Sequence, residues 1–258
     1  MKAPKISIVV PSFNKVRYIG QTLESIIKQE YPNLEVIIQD GGSTDGTLGI
    51  IRKYAKKYSE VIKWESKRDN GQLDAINKGL KKANGEILTY INADDVYGKG
   101  SFKTVAKIFM SNPDALWFVG RGRVINAKGE EIANFATWYK NLLLLLNSRF
   151  FLLVTNYLMQ PSVFITRNAW NKFGPFTGTS DFVTEYDMWL KIAKHKMPVV
   201  SDEYFSNFRI EPSTITKRNM GNLLLEDEKI VRKHISNSLI LFLHKLHNYA
   251  RSVIGEVV

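Results

Sequence analysis

The chain has 258 residues, 44% of them hydrophobic and 24% charged, which suits a globular protein of one large domain or a domain with an appendage. The absence of cysteine excludes disulfides, thiolate metal sites and cysteine nucleophiles and fits a reducing cytoplasm. Its four histidines, His195, His234, His244 and His247, all lie beyond the first two thirds, so a multi-histidine zinc site is not expected and a base near the N-terminal half should be a carboxylate. The formal charge of +11 favours anionic partners such as nucleotides, nucleic acid or an acidic membrane face, or simply gives a soluble basic surface.

In chain order, Ile6–Val10 predicts a strand and Tyr18–Gln29 a helix with Ile19, Leu23, Ile26 and Ile27 apolar. Glu35–Gln39 follows as a strand and Leu48–Tyr58 as a helix that Ser43 or Thr44 would cap. Val61–Trp64 is a short strand, and Gln72–Ala83 a helix stopped at Asn84-Gly85 by a left-handed residue. Ile87–Ile91 is the next strand, and this alternation implies βαβ units and a mainly parallel sheet. After Asp95 the rhythm changes. Phe102–Met110 reads as a helix, and Leu116–Val119, Arg123–Asn126 and Ile132–Phe135 as strands, the last two joined by a turn at Lys128-Gly129. Trp138–Leu153 is an apolar helix, Ser162–Thr166 a strand and Thr184–Lys194 a helix; Leu223–Lys233 and Leu239–Val253 form a helical tail. The expected division is a unit over 1–212, with halves 1–95 and 96–212, and a helical extension over 213–258. Ile6–Val10 is too short for a signal-peptide core. No stretch reaches the ~20 apolar residues that span a bilayer.

Two acidic passages follow strands that should lie side by side. In the first, Asp40-Gly41-Gly42-Ser43, the carboxylate can accept from a base or ribose while the glycines let a ligand approach; helix capping is the plainer alternative. In the second, Asn92-Ala93-Asp94-Asp95, Asn92 and Asp94 share one side of the extended chain and Asp95 needs a bend to join them. One or two carboxylates with substrate phosphate oxygens is how Mg2+ or Mn2+ is usually held; an acidic turn capping the next helix is the alternative. Asp69-Asn70-Gly71-Gln72 is a polar turn entering a helix, on which Lys78, or Arg68 before it, can meet a phosphate or be solvated. Glu185-Tyr186-Asp187 places acids in the first turn of a helix, as the dipole favours.

Together these passages resemble the family 2 glycosyltransferases of the GT-A fold over roughly Ile6 to Arg209. Val9-Val10-Pro11-Ser12-Phe13-Asn14 looks like the family's first nucleotide loop and Asp40 to Thr47 like the second; Gln160-Pro161-Ser162 looks like its acceptor-side strand. The resemblance implies an α/β, Rossmann-like sheet flanked by helices, with a C-terminal helical extension. It implies nucleotide and donor binding by Pro11, Ser12, Asn14, Asp40, Gly42, Ser43, Asp69, Asn70, Gly71, Gln72, Lys78, Asn92, Ala93 and Asp94. It further implies Mn2+ or Mg2+ on Asp94 with Asp95 as a second ligand, and Glu185 as the base with Asp187 as the alternative. Two positions depart from the family: Asn92 stands where the first metal-motif acid is usual, and Thr184-Glu185 where Glu-Asp is usual.

The implied reaction is inverting transfer from a UDP- or GDP-linked sugar to a saccharide or lipid-linked saccharide, in surface polysaccharide or glycolipid assembly. The alternatives are a catalytically weak nucleotide-sugar binder or a nucleotidyltransferase of related fold; the dispersed basic residues argue against nucleic acid. Trp138–Leu153 and the tail, where Leu239, Leu241, Leu243 and Leu246 alternate with basic residues, offer a peripheral membrane contact on the inner face of the cell membrane, a homodimer contact, or packing on the core.

Overall fold

The structure is a computed structural model that describes residues 2–178, 185–210 and 220–254. Among the described residues nine strands form one sheet. Its first half holds four parallel strands in the order β3 (Ile62–Ser66), β2 (Leu34–Asp40), β1 (Ile6–Ser12) and β4 (Ile87–Tyr90). Every residue of β1 is buried, as in a central parallel strand covered on both faces. The connections run through α1 (Ile19–Ile27), α2 (Thr47–Lys57) and α3 (Gln72–Lys82). The second half is mixed: β8 (Val163–Thr166) is antiparallel to β4, β6 (Trp117–Ile125) antiparallel to β8, β9 (Val199–Arg209) parallel to β6, and β5 (Val96–Tyr97) antiparallel to β9 at the edge. The two-residue β7 (Glu131–Ile132) pairs with the end of β6.

The strand period divides the core between two faces. Ile6, Ile8 and Val10 meet α1, α2 and α4 (Ser101–Ser111). Val9, Ile37 and Leu88 meet α3 and a second helical layer. That layer comprises α5 (Asn134–Leu146), α6 (Arg149–Val154), α7 (Arg167–Phe173), α8 (Tyr186–Ala193), α9 (Met220–His234) and α10 (Ser238–Ile254). Each wholly buried aliphatic side chain contributes about 1.5–3 kcal/mol, so β1, with four of them between Ile6 and Val10 at 0% exposure, is a firmly anchored strand from which to hang loops.

Several elements differ from the sequence expectation. Leu116–Val119 and Arg123–Asn126 belong to one strand, β6. Its Gly120 and Gly122 imitate a turn, but a side chain at either would collide with the Phe205 ring or with Met159, at 2.3 Å. The partner strand β9 was not expected, because Ser201, Asp202, Glu203, Ser206 and Asn207 break its apolar signal. Neither β5 nor α7 was expected. The strand placed at Ile132–Phe135 shrinks to Glu131–Ile132, and α5 already starts at Asn134. The single helix over Trp138–Leu153 is two, separated at Asn147, where φ is 44°. The stop after α3 is not left-handed: Ala83 closes the helix in an extended conformation. Nor do Ser43 or Thr44 cap α2; the helix begins at Thr47, whose N–H and hydroxyl both donate to Asp45 Oδ1, at 3.0 and 2.5 Å.

Candidate active site

The parallel strands β1, β2 and β4 end side by side, and the loops that leave them are tied into one rim. The Gly41 N–H donates to Ser12 O at 2.8 Å, where β1 and β2 are still in register. Beyond them, the Asn14 N–H donates to Ser43 Oγ (2.8 Å) and Asn14 Oδ1 accepts from the Thr44 N–H (2.9 Å). The Lys15 N–H donates to Thr47 Oγ1 (2.8 Å) and the Val16 N–H to Asp45 Oδ2 (3.0 Å). Asn14 takes a positive φ of 51°, which Asn tolerates better than most residues. Pro11 and Ser12 are buried within β1, and Ser12 Oγ makes no hydrogen bond.

Asp40 organises the second loop. Its Oδ2 accepts from the N–H groups of Gly42 (3.0 Å) and Ser43 (2.9 Å) and from Ser66 Oγ (2.7 Å), and its Oδ1 from Ser43 Oγ (2.5 Å). Most of its acceptor capacity is therefore spent inside the loop. Gly41 makes room for a neighbouring loop: a Cβ there would lie 3.1 Å from the Asp69 carboxylate. Asp69 Oδ1 in turn accepts from the Gly71 N–H (3.0 Å), and the Asn70 N–H donates to Asp74 Oδ2 (3.0 Å), so Asp69 to Gln72 form a hydrogen-bonded entry to α3.

The turn after β4 completes the rim. Asn92 Oδ1 accepts from Gln72 Nε2 at 2.5 Å, joining this turn to the start of α3. Ala93 is buried, and Asp94 keeps 17% of its side chain exposed, with its Oδ2 2.5 Å from Lys15 Nζ. The sequence reading overlooked Lys15, although it directly follows Asn14. Asp95 turns inward: it is fully buried, its Oδ1 accepts from the Arg209 N–H (2.7 Å), and its main-chain O accepts from Thr22 Oγ1 (2.7 Å). Burial, with Asp94 beside it, raises the affinity of this carboxyl for a proton.

Arg209, also missed, holds the whole turn. Its Nε donates to Asp94 O (2.7 Å), Nη1 to Asn126 O (2.9 Å) and Nη2 to Gln21 Oε1 (2.9 Å), and its guanidinium lies 4.7 Å from the Tyr18 ring centroid. Nothing in the sequence marks it, because it ends a strand that reads as polar loop.

Glu185 reaches the same strand end from the opposite side. Its Oε2 accepts from the hydroxyl of Tyr90, the last residue of β4, at 3.3 Å; Tyr90 O accepts from Gln160 Nε2 at 2.9 Å. Burial pushes the Glu185 carboxyl up to about 7, against the hydrogen bonds from its own backbone and from Tyr90. Thr184, which precedes it, lies outside the described residues.

Three further residues named from the sequence have partners of their own. Asp187 faces α9, where its Oδ1 is 2.7 Å from His234 Nε2 and its Oδ2 is 2.6 Å from Lys191 Nζ. Burial alone would raise its pKa, but these donors hold the carboxyl well below the usual range. Lys78 is exposed and paired with Asp74 one turn earlier on α3 (2.6 Å). Asp95, as described, points into the core and not beside Asp94.

Among the described residues no three His, Cys, Asp or Glu side chains gather as a metal cage. A carboxylate oxygen of Asp94, two residues beyond Asn92 on the same turn, nevertheless fits Mg2+ or Mn2+, which take many ligands from phosphate and water. The Lys15 ammonium against Asp94 Oδ2 marks that oxygen as a place where a cation is held.

Comparison with known proteins shows the family and the fold. The chain is similar to a dolichyl N-acetyl-alpha-D-glucosaminyl phosphate 3-beta-D-2,3-diacetamido-2,3-dideoxy-beta-D-glucuronosyltransferase of Methanococcus voltae, 35% identical over 135 residues that cover 50% of this chain. It spans only 41% of that protein and 33% of an uncharacterized glycosyltransferase of Rickettsia felis. The fold matches a mannosyltransferase of Pyrobaculum calidifontis solved with GDP-Man and Mn2+ (TM-score 0.72, 18% identity, 97% of this chain and 70% of that one). It also matches S. aureus TarS solved with UDP-GlcNAc (TM-score 0.63, 20% identity, 89% of this chain and 71% of that one). Both structures hold a nucleotide sugar, and the shared architecture is the GT-A fold. Residues 7–172 match the profile of glycosyl transferase family 2, and the chain belongs to that family.

Proposed function

We propose that the chain transfers a sugar from a UDP- or GDP-linked donor to a hydroxyl of a saccharide or lipid-linked saccharide, with inversion. The observation that carries this reading is the meeting of two tied nucleotide loops, the Asn92–Asp94 turn and the Glu185 carboxylate at the ends of β1, β2 and β4. Pro11 to Asn14 and Asp40 to Ser43 cradle the nucleoside, and Asp69 to Gln72 with Asn92 line the diphosphate. Lys15 and Asp94 hold opposite charges at the rim, which puts the Lys15 cation in reach of a donor phosphate bound there. Asp94, with Asn92, would hold a divalent cation; when bound, that ion supplies charge stabilisation for the leaving diphosphate. Glu185 takes the proton of the acceptor hydroxyl as the hydroxyl oxygen attacks the anomeric carbon and the bond to the diphosphate breaks. Arg209 and Asp95 act indirectly, by fixing the turn that carries Asp94.

The test pairs a thermal-shift screen of UDP- and GDP-sugars, with and without Mn2+, with transfer assays on Asp94→Asn. The variant should keep its fold and lose about a hundredfold or more in Mn2+-dependent transfer. Full activity in it would remove Asp94 from the reaction.

A second reading concerns docking. Among the described residues, eleven of the fourteen exposed large hydrophobics lie on α5, α6, α9 and α10, including Phe135, Trp138, Leu142, Phe242, Leu246 and Tyr249. No helix among the described residues is long and apolar enough to cross a membrane. Such a concentration supports a peripheral docking face, on a lipid surface or a second copy of the chain. Vesicle flotation and sedimentation of the full chain separate the two.

A further inference from the structure

The segment that follows α7 is held by one side chain of α3. Phe176 belongs to neither a helix nor a strand, so its peptide groups need partners from elsewhere. Asn77 supplies both: its Nδ2 donates to Phe176 O at 2.9 Å, and its Oδ1 accepts from the Phe176 N–H at 3.0 Å, across 99 residues of chain. An amide that donates to and accepts from one residue fixes both the place of that residue and the direction of its side chain.

The ring aimed in this way is buried, and it lies edge-on to the rings of Tyr90, Trp170 and Trp189, each at 5.8 Å between centroids. Two of these contacts lead to Glu185. The Tyr90 hydroxyl donates to Glu185 Oε2 at 3.3 Å, and the Trp189 N–H donates to Glu185 O at 3.0 Å. Phe176 therefore touches the partner of the carboxylate and the partner of the main chain. The next residue adds a second tie to α8, where Thr177 Oγ1 donates to Asp187 Oδ2 at 3.2 Å. Without this support Tyr90 has room to shift, because it lines a cavity of about 10 Å³ together with Gln160, Phe176 and Trp189.

We infer that Asn77 is a positioning residue: through Phe176 it sets the Tyr90 hydroxyl and the first turn of α8 on either side of Glu185. Its effect on transfer rests on the reading of Glu185 as the base. The helix that carries Asn77 is suited to the task. Its first residue, Gln72, bonds Asn92 in the turn that bears Asp94, and Asn77 lies about 7.5 Å further along the same axis. One rigid element thus serves as the reference for both the donor side and the acceptor side of the crevice.

The test reads Tyr90 directly. The full chain is labelled with 13C at the tyrosine Cζ, and the Tyr90 resonance is assigned by its loss in Tyr90→Phe. Asn77→Leu keeps a branched side chain and removes both hydrogen bonds to Phe176. It should displace the Tyr90 resonance, as should Glu185→Gln, which alters the group that the hydroxyl meets. In Asn77→Leu, kcat for transfer from the UDP- or GDP-sugar accepted in the screen should fall about tenfold or more, while the Kd of UDP or GDP with Mn2+ stays within about twofold. A Tyr90 resonance that stays in place in this variant, an unchanged kcat, or a nucleotide affinity that falls as far as kcat overturns the inference. If Asn77→Leu does not fold, Asn77→Ser decides on the same readouts, since the site is partly exposed and water can pair the freed groups of Phe176. If Glu185→Gln keeps transfer while the Asn77 variant displaces the resonance and lowers kcat, the base reading fails and the link stands. If Glu185→Gln is inactive and the resonance does not move in the Asn77 variant, the link fails and the base stands.

Discussion

Glu185→Gln should inactivate the protein and at the same time stabilise it, increasingly so as the pH rises. The substitution keeps the shape of a side chain bonded to Tyr90 and removes its charge. Glu185 is raised from 4.5 to about 7 in the fold. Its contribution to stability is therefore full below the unfolded value and is lost as the pH rises through the folded one. Raising the carboxyl from 4.5 to about 7 costs at most about 3 kcal/mol once the group is ionised in the fold, and about 2 kcal/mol of it accrues between about pH 5.5 and about pH 8.5. Urea unfolding of both proteins at these two pH values, followed by far-ultraviolet circular dichroism, measures the change. The gap between variant and parent should widen by about 2 kcal/mol, and the comparison across pH cancels any packing difference that does not titrate. A gap that stays constant would refute the raised proton affinity of Glu185. Undiminished transfer would refute its role as base.

Two further substitutions separate positioning from chemistry. Arg209→Met keeps the main-chain N–H that bonds Asp95 but removes the side-chain donors to Asp94 O, Asn126 O and Gln21; it should cost about 1–3 kcal/mol, read as a fall in thermal midpoint, and should weaken nucleotide binding. Asp187→Asn should cost about 2 kcal/mol near neutral pH, because the folded pKa of Asp187 is depressed and its stabilisation is present above the unfolded value. That cost should shrink as the medium is acidified toward and below about pH 3, while transfer largely survives; loss of transfer with the fold intact would make Asp187 the base.

The N-terminal half of the fold was legible because its strands are buried on both faces and its helices carry one apolar stripe each. Period and composition report those two conditions directly, so Ile6–Val10, Glu35–Gln39 and the helix that follows each came out within a few residues. The second half hid its strands for a stated reason. In β6 the glycines are places where Phe205 and Met159 press on the backbone, and in β9 runs of polar residues interrupt the aromatics without a period of two. Residue type alone does not distinguish a glycine that turns the chain from one that lets another side chain pass.

The same division holds for the site. The family, the two acidic passages, the polar entry to α3 and Glu185 are properties of local residue type and order, and the sequence by itself determined them. Which carboxylate faces the crevice depends on partners far away in the chain, and only the tertiary structure decided it. Asp95 is taken by Arg209, 114 residues on, and Asp187 by His234, 47 residues on. Asp94 meets Lys15, 79 residues earlier, and Glu185 meets Tyr90, 95 residues earlier. Neighbouring acids that look interchangeable in the chain are separated because a carboxylate acquires its charge and direction from whatever donor the fold brings to it.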